Sequence, residues 1–245
     1  MNEHHNKQNV IENPHGYKVL ILISMFYMSI MLCNAVLTNR YIGIDAFFVL
    51  GGTFTSPLIF IFDDIITEIY GYKIARSVII TGFLAQTFFV VICQLALIAP
   101  HPSFFKEQES YSYVLGLSLL RINISGFIAY IVANLTNSYV LSRWKILLKG
   151  RYFWLRSLGS STFSEALYSF VAIVMMEISS IPLHNIMKVV AISFSIKAIY
   201  SILLAAPASF LVNYLKNLTG IDIYDFPNKF TPFKYAKTNQ DLSYD

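Results

Sequence analysis

Two acidic residues four positions apart, Asp64 and Glu68, stand inside a stretch that is otherwise apolar, residues 60–71, and Asp63 adds a third carboxyl group. On a helix, residues four apart lie on one face, one turn from each other. A charged side chain at the centre of a bilayer costs roughly 2.5–3.5 kcal/mol on insertion scales, so it needs a partner or a water-filled cavity. The spacing therefore predicts a polar path through a membrane.

Two later apolar runs carry opposite charges at similar depth. Glu165 lies nine residues beyond Arg156, about 13 Å along a helix at 1.5 Å per residue, which places it near the midplane of a bilayer. Lys197 lies at a comparable depth, with Ser193 and Ser201 one turn before and after it. Glu165 and Lys197 are the obvious pair for charge neutralisation. Such a pair either marks a substrate or proton route or is a purely structural ion pair.

Amide and hydroxyl side chains also recur at helical spacing. Arg121 and Ser125 are followed by Tyr130, Asn134 and Asn137. A polar stripe of this length favours a position inside a helix bundle, where it either lines a route or supplies interhelical hydrogen bonds.

Two further runs carry polar side chains at helical spacing. Ser161, Glu165 and Tyr168 repeat the spacing of Tyr130, Asn134 and Asn137 on the next apolar run. The first run offers Asn34 and Thr38 on one face, for which the alternative is a polar pair at the outer end of a helix. The repeat by itself is a weak signal of internal symmetry.

Composition places these residues in an integral membrane protein. Of the 245 residues, 56% are hydrophobic and 13% are charged, about half the charged fraction of a soluble domain. The net charge of +4 comes from basic residues in loops, which is not the basic stripe of a nucleic-acid-binding protein. Cys33 and Cys93 are lone residues in apolar runs, without metal-ligand spacing. We expect no catalytic residue, no metal site and no cofactor.

The elements that must position the polar residues are transmembrane helices. We predict an all-α integral membrane protein with six spans, each long enough for a bilayer, near residues 19–38, 45–70, 74–99, 113–140, 157–181 and 186–214. Gly51, Gly52 and Pro57 make the second span irregular, so we expect it to be bent or broken. The predicted organisation is a cytoplasmic N-terminal segment (1–18), a six-helix domain (19–215) and a cytoplasmic tail (216–245).

The basic residues predict the orientation. One side of the six-span arrangement carries only Arg40, Lys106 and Lys188. The other side carries the remaining loop cations, which are Lys7, Lys18, Lys73, Arg76, Arg143, Lys145, Lys149, Arg151, Arg156, Lys216, Lys229, Lys234 and Lys237. By the positive-inside rule, both termini are cytoplasmic. The first span is too long for a signal-peptide core and is expected to be retained. The prediction is a multi-pass protein of the cell (inner) membrane.

Several of these stretches resemble the queuosine precursor transporter family, also called the vitamin uptake transporter family. The most specific is SPLIFIFDDIITEIYG at residues 56–71, followed by Lys73 and Arg76. The others are LRINISGFIAY at 120–130 with Asn134 and Asn137, SSTFSEALYS at 160–169, and Lys197 with Pro207. The resemblance covers all six predicted helices, roughly residues 19–215.

The resemblance implies a six-helix carrier that takes up 7-deazaguanine bases for tRNA modification. These bases are 7-cyano- or 7-aminomethyl-7-deazaguanine, or queuine. The family often has Gln-x-x-Asp where this chain has Asn134 and Asn137, and again where it has Glu165 and Tyr168. These departures leave open which base is carried. The expected partners are a small nucleobase-like molecule and the lipid bilayer, with no nucleic acid; a homodimer is left open.

A guanine-like ligand fits the polar residues chemically. Its N1–H and exocyclic amine are adjacent donors that one carboxylate accepts as a pair, and its flat face stacks on aromatic rings. We predict that Glu165 binds this donor edge and that Asn134 and Lys197 add polar contacts. The full predicted set of substrate-binding residues is Glu165, Asn134, Lys197, Asn137, Tyr130 and Asn34. The residues predicted for the transport route or its gates are Asp64, Glu68, Arg121 and Ser161.

Two other functions are suggested by parts of the sequence. The first is a substrate-capture subunit of an energy-coupling vitamin uptake system, but such subunits generally carry small-residue patches on the first span, and this one has only Ala35. The second is an enzyme, because Asp63, Asp64 and Glu68 resemble a magnesium–diphosphate motif. That chemistry needs a second acidic cluster, which the sequence lacks. We therefore favour a transporter that is not an enzyme.

Overall fold

Long apolar helices make up most of the structure, a computed structural model that describes residues 14–45, 47–178 and 180–224. Of the predicted terminal segments, residues 1–13 and 225–245 lie outside this description. The elements are α1 (Pro14–Leu37), β1 (Tyr41–Ile44), β2 (Phe47–Leu50), α2 (Gly52–Ile98), α3 (Gln108–Leu115), α4 (Leu117–Leu147), α5 (Phe153–Glu177) and α6 (Leu183–Thr219). Within the described residues, five helices are long and apolar enough to cross a membrane, counting α3 and α4 together.

The 47-residue helix α2 consists of two halves that fold back on each other at Gly71, whose backbone is not helical (φ 79°, ψ 168°). The ring of Tyr130 lies 6.4 Å from that of Phe60 and 4.6 Å from that of Phe83. A straight helix would separate Phe60 and Phe83 by roughly 35 Å. The two halves of α2 therefore run side by side in opposite directions.

Hydrogen bonds show which connections between the helices lie at each end of the bundle. At one end, the Tyr70 hydroxyl donates to the Gly16 carbonyl at the start of α1 (2.8 Å). The Ile223 amide, just beyond α6, donates to the Ile69 carbonyl (3.1 Å). The start of α1 and the end of α6 therefore lie at the same end, beside the turn at Gly71.

The opposite end collects the other connections. Asn39, after α1, donates to the Tyr113 carbonyl of α3 (2.9 Å), and Gln94, near the end of α2, donates to the Leu115 carbonyl (2.6 Å). Arg121, early in α4, donates to the Ser180 hydroxyl in the turn between α5 and α6 (3.0 Å). We call this the hairpin end, because it also holds β1 and β2, and the other the Gly71 end.

Apolar side chains point outward and polar ones inward, the reverse of a soluble protein. Large exposed apolar residues occur along α1, α2 and α6, among them Phe26, Phe88 and Phe210, while Asp63, Asp64 and Glu165 are buried. In a bilayer the outward side chains meet lipid and the polar groups pair with one another inside. This pattern agrees with the expected integral membrane protein.

The structure differs from the sequence prediction around the second span. Residues 41–44 and 47–50 form a two-stranded antiparallel sheet that pairs Tyr41 with Leu50, so the fold is not purely α-helical and the second helix begins at Gly52, not at residue 45. The bend or break expected from Gly51, Gly52 and Pro57 within the span is not seen: the non-helical residue of α2 is Gly71, which lies in the predicted connection between the second span (45–70) and the third (74–99). Pro57 is the sixth residue of α2 and removes the hydrogen bond to the Thr53 carbonyl, yet the helix continues through it.

Gly71 is expected to tolerate no side chain. Its φ and ψ lie in a region that is accessible essentially to glycine alone, where other residues cost about 1–3 kcal/mol. Gly71→Ala should lower the thermal unfolding temperature of the detergent-solubilised protein. Gly126→Ala is the matched control, since Gly126 is helical and has no heavy atom within 4 Å of the added methyl group. Equal unfolding temperatures for the two variants would contradict this explanation of the turn.

Candidate functional site

Three carboxyl groups on the first half of α2 each meet a different set of helices. Asp63 is approached from α4, where the Tyr130 hydroxyl donates to Asp63 Oδ2 (3.0 Å) and the Asn134 amide donates to the same oxygen. Tyr27 of α1 is hydrogen-bonded to the Tyr130 hydroxyl. Asp63 is fully buried. This group joins α1, α2 and α4 at the middle of the bundle.

Asp64 is held by donors from α4 and α5. The Asn137 amide donates to Oδ1 (2.5 Å), and Oδ2 accepts from the hydroxyls of Ser161 (2.8 Å) and Ser157. Three donors to one carboxylate stabilise its charged form. Asn137 and Ser161, both predicted from helical spacing, thus lie together on this acid.

Glu68, one turn further along, forms a buried ion cluster. The Arg156 guanidinium of α5 donates to both carboxylate oxygens (2.7 and 3.0 Å), and Lys216 of α6 contacts Oε1 at 2.6 Å. Lys145 of α4 lies 3.9 Å from the same oxygen. A bidentate arginine–carboxylate pair is among the strongest ionic hydrogen-bond arrangements. Glu68 therefore ties α2 to α4, α5 and α6 at the Gly71 end.

The same cations hold the chain after α6. Lys145 Nζ contacts Asp222 Oδ1 and the Ile223 carbonyl, each at 2.6 Å, and Lys216 lies 2.9 Å from the same Asp222 oxygen. The Glu68 cluster, defined as Glu68, Lys145, Arg156, Lys216 and Asp222, contains three cations and two acids. It closes the Gly71 end of the bundle.

Glu165 and Lys197 lie on facing helices near the middle of the bundle. The Ser201 hydroxyl donates to both oxygens of Glu165 (3.0 and 3.2 Å), and Lys197 Nζ donates to the Ser169 hydroxyl (2.9 Å). Lys197 Nζ also lies 4.8 Å from the centre of the Tyr168 ring. No ion pair within 4 Å joins Glu165 to Lys197, although both lie in the part of the chain that the structure describes. Each of them is thus held by a neutral serine that a ligand could replace.

A small cavity adjoins Lys197 and Tyr168. Its volume is about 20 Å³, and its polar lining comes from Asn34, Thr38, Thr53 and Lys197. This is close to the space of a single water molecule and far below that of a purine-sized base. The structure is therefore closed around this region, and a flat heterocycle enters only if the helices separate.

Aromatic rings surround the same region. The Tyr168 ring packs against Phe60 at 6.1 Å and Tyr130 at 6.3 Å, both nearly perpendicular. By contrast, a larger concave surface, about 840 Å³ between α4 and α5, is lined by apolar groups such as Trp144, Leu155 and Phe163 and carries no charged residue. That surface suits lipid chains, whereas the aromatic region offers both stacking and polar contacts.

The predicted residues are divided among several places. Lys197 and Asn34 line the small cavity, where Asn34 accepts a hydrogen bond from Thr55 (2.6 Å). Glu165, bonded to Ser201, is not among the residues that line this cavity. Tyr130 and Asn134 bind Asp63, while Asn137 and Ser161 bind Asp64. Glu68 is in the ion cluster. Arg121 is exposed at the hairpin end, apart from the other nine predicted residues.

Sequence reasoning missed the cations of the Glu68 cluster. Lys145, Arg156 and Lys216 were assigned to loops, but Arg156 is entirely buried and Lys145 is nearly so. No spacing in the sequence relates them to Glu68, since they come from three later helices. Asp63 was visible as the neighbour of Asp64, but nothing in the sequence set it apart. Within the described ranges, no group of three or more metal-ligating side chains occurs.

Comparisons with known proteins identify a family of membrane transporters. The model of one protein family, described as "Putative vitamin uptake transporter", matches residues 50–212. A queuosine precursor transporter of Escherichia coli (strain K12) is 24% identical over 203 residues, which cover 81% of this chain and 88% of that protein. No solved structure matches the chain. The matched residues include α2 from its start and all three of its acids.

Replacing Glu68 should lower the thermal unfolding temperature of the protein. Glu68→Gln leaves Arg156 buried without its countercharge, a change that typically costs about 3–5 kcal/mol. The measurement is thermal unfolding in detergent, with Glu109→Gln as the control because Glu109 is exposed on α3.

A double variant separates loss of the ion pair from loss of packing. Glu68→Gln combined with Arg156→Gln removes both charges, so its destabilisation should be smaller than the sum of the two single effects. Additive effects, or a Glu68→Gln protein as stable as the control, would contradict a buried ion pair at this position.

Proposed function

This chain belongs to the vitamin uptake transporter family, and we propose that it imports 7-deazaguanine bases that serve as queuosine precursors for tRNA modification. The family and the five long apolar helices make it a multi-pass membrane transporter. The observation that carries the proposed substrate class is the pair Glu165 and Lys197, held by serines beside an aromatic group at the middle of the bundle.

Glu165 is proposed to bind the donor edge of the base. A carboxylate accepts the N1–H and the exocyclic amine together, and such charge-assisted pairs are shorter and stronger than neutral ones. In the closed structure the Ser201 hydroxyl occupies both oxygens of Glu165. One hydroxyl replaced by two ligand N–H donors leaves the carboxylate better satisfied. Discrimination against bases without these donors follows from the same geometry.

The opposite edge and the face of the base would meet Lys197, Asn34 and Tyr168. Lys197 Nζ has a neutral hydroxyl partner in Ser169 and can donate instead to the carbonyl oxygen of the base. The Tyr168 ring offers a stacking surface next to Lys197. Asn34 lines the adjoining cavity. Tyr130, Asn134 and Asn137 would contribute by fixing Asp63 and Asp64 next to this site.

The two ends of the bundle are proposed to act as gates. The Glu68 cluster closes the Gly71 end, and release of a base there requires the contacts of Glu68 with α5 and α6 to open. At the hairpin end, the Arg121–Ser180 bond joins α4 to the turn between α5 and α6. Asp64 and Ser161 lie between the central site and the Glu68 cluster. A carrier exposes its central site to one side at a time, and these contacts are suited to that control.

Six crossings with both termini in the cytoplasm are proposed for the orientation. The start of α1 and the end of α6 lie at the same end of the bundle, as an even number of crossings requires, and the two halves of α2 count as two. The Gly71 end also carries most of the basic residues, which the positive-inside rule assigns to the cytoplasm.

Cysteine labelling tests this orientation. In a Cys33→Ser, Cys93→Ser background, Lys106→Cys and Arg151→Cys place single thiols on exposed positions at opposite ends. A membrane-impermeant maleimide should label the first in intact cells and the second only after permeabilisation, because the bilayer blocks access to the cytoplasmic loop. The reverse pattern would invert the orientation, and equal labelling of both in intact cells would contradict a membrane crossing by α4, which separates the two positions.

Uptake assays test the substrate class and the role of Glu165. Cells that lack their own carrier should accumulate labelled 7-cyano-7-deazaguanine or queuine when they express this protein. Glu165→Gln should reduce uptake about 10–100-fold, the loss expected for hydrogen bonds to a charged group worth about 1.5–3 kcal/mol. The amount of the protein in the membrane should be unchanged.

Glu177→Gln is the matched control for that variant. Glu177 lies on the same helix as Glu165 but at the hairpin end, where it accepts a hydrogen bond from Tyr41 (2.8 Å). Burial and this carboxylate raise the pKa of the Tyr41 hydroxyl well above its usual range, so the hydroxyl stays protonated and donates. Uptake that is lost equally in both variants, or in neither, would remove Glu165 from the proposed binding site.

A further inference from the structure

Five acids are buried among the described residues. Glu177 accepts a hydrogen bond from Tyr41 at the hairpin end, and of the other four, three have compensating partners. Glu68 contacts Arg156 and Lys216. Both oxygens of Glu165 accept from the Ser201 hydroxyl. Asp64 has no cation but accepts three hydrogen bonds, at both of its oxygens. Asp63 differs from all three.

The surroundings of Asp63 contain no positive charge that contacts it. From α1 and α4 it faces the hydroxyls of Tyr27 and Tyr130 and the amide of Asn134, and on its own helix it adjoins Asp64. From α5, Tyr168 packs against the Tyr130 ring, and from α6 Lys197 lies over Tyr168 and donates to Ser169. An ionised Asp63 would thus be a second carboxylate beside Asp64, away from water, which disfavours its charged form.

Two buried oxygen atoms without hydrogen-bond partners indicate the position of a proton. Among the described side chains, Asp63 Oδ1 and Asn134 Oδ1 are buried oxygens without a hydrogen-bond partner. If Asp63 is ionised, both of these oxygens can only accept hydrogen bonds. The Asn134 amide nitrogen donates to the other carboxylate oxygen, Asp63 Oδ2. A buried acceptor left unpaired costs about 1–3 kcal/mol. A hydrogen on Asp63 Oδ1 converts one acceptor into a donor for the other and completes a two-bond pairing of acid and amide.

We propose that Asp63 is a proton-binding site and that the closed bundle forms only with a proton on Asp63 Oδ1. When either end of the bundle opens and water reaches Asp63, the carboxyl group can release this proton to solvent. Reclosure then requires a proton to return to the same oxygen. The inference rests on the proposed transport function for its consequence, which is that the rate of alternation between the two ends falls at alkaline pH.

Exchange of a labelled 7-deazaguanine base across proteoliposome membranes, with equal pH on both sides, measures this alternation without a driving gradient. The wild-type rate should fall by up to about tenfold per pH unit once Asp63 ionises, because only the protonated fraction can close. Asp63→Asn carries a permanent neutral amide, so it should exchange with a rate nearly independent of pH. Asp63→Glu should restore a pH-dependent rate.

Asp45→Asn is the control, since Asp45 is exposed in the loop between β1 and β2, and it should keep the wild-type pH profile. An Asp63→Asn protein that exchanges with the wild-type pH dependence would overturn the proposal. So would a wild-type rate that does not change with pH in the range where Asp63→Asn is also constant.

Infrared difference spectroscopy tests the protonation of Asp63 without any transport. The wild-type protein at neutral pH should show the carbonyl stretch of a buried carboxylic acid, and Asp63→Asn should lack it. Asn134→Ala keeps the acid but removes its amide partner, so the same band should move to higher frequency. This second variant allows the band to be assigned even if Asp63→Asn does not fold. A neutral-pH spectrum without a band assignable to Asp63 would overturn the proposal. A protein that shows the band but exchanges no base would refute the proposed function alone.

Discussion

The cost of removing carboxyl groups from water governs the arrangement of this protein. Asp63, Asp64 and Glu68 lie on the first half of α2, and each is contacted by a different group of helices. Since an unpaired charge inside a bilayer costs several kcal/mol, the helices can assemble in few other ways without losing these contacts. Apolar packing between membrane helices favours one helix arrangement over another only weakly by comparison, because lipid tails are equally apolar.

The same constraint gives the molecule two kinds of polar contact. The Glu68 cluster has full charges at short distances and closes one end of the bundle. The central contacts of Glu165 and Lys197 are to serine hydroxyls, which a ligand can replace at small cost. A carrier needs both: ends that hold firmly until they open, and a centre that exchanges its partners easily.

Proline and glycine on the second predicted span do not have the expected effect. A bent or broken span was expected from Gly51, Gly52 and Pro57, but the non-helical residue of α2 is Gly71, which lies in the predicted connection to the third span. Pro57 is the sixth residue of α2 and costs the helix one internal hydrogen bond, yet the helix continues through it. Gly51 and Gly52 instead connect β2 to α2. The residues before them, expected to be membrane-embedded, pair as a short antiparallel sheet.

The sequence by itself determined that this is a helical membrane protein with buried acids, since apolar runs and the spacing of Asp64, Glu68, Glu165 and Lys197 are local properties of the chain. It also placed Asn137 and Ser161 correctly on inward faces. Only the tertiary structure decided which polar side chains contact one another. Arg156, assigned to a loop, is buried against Glu68, and Asp63 has no cation and one carboxylate oxygen without a hydrogen-bond partner. Partners of a buried charge come from helices far apart in sequence, and no periodicity within one helix encodes them.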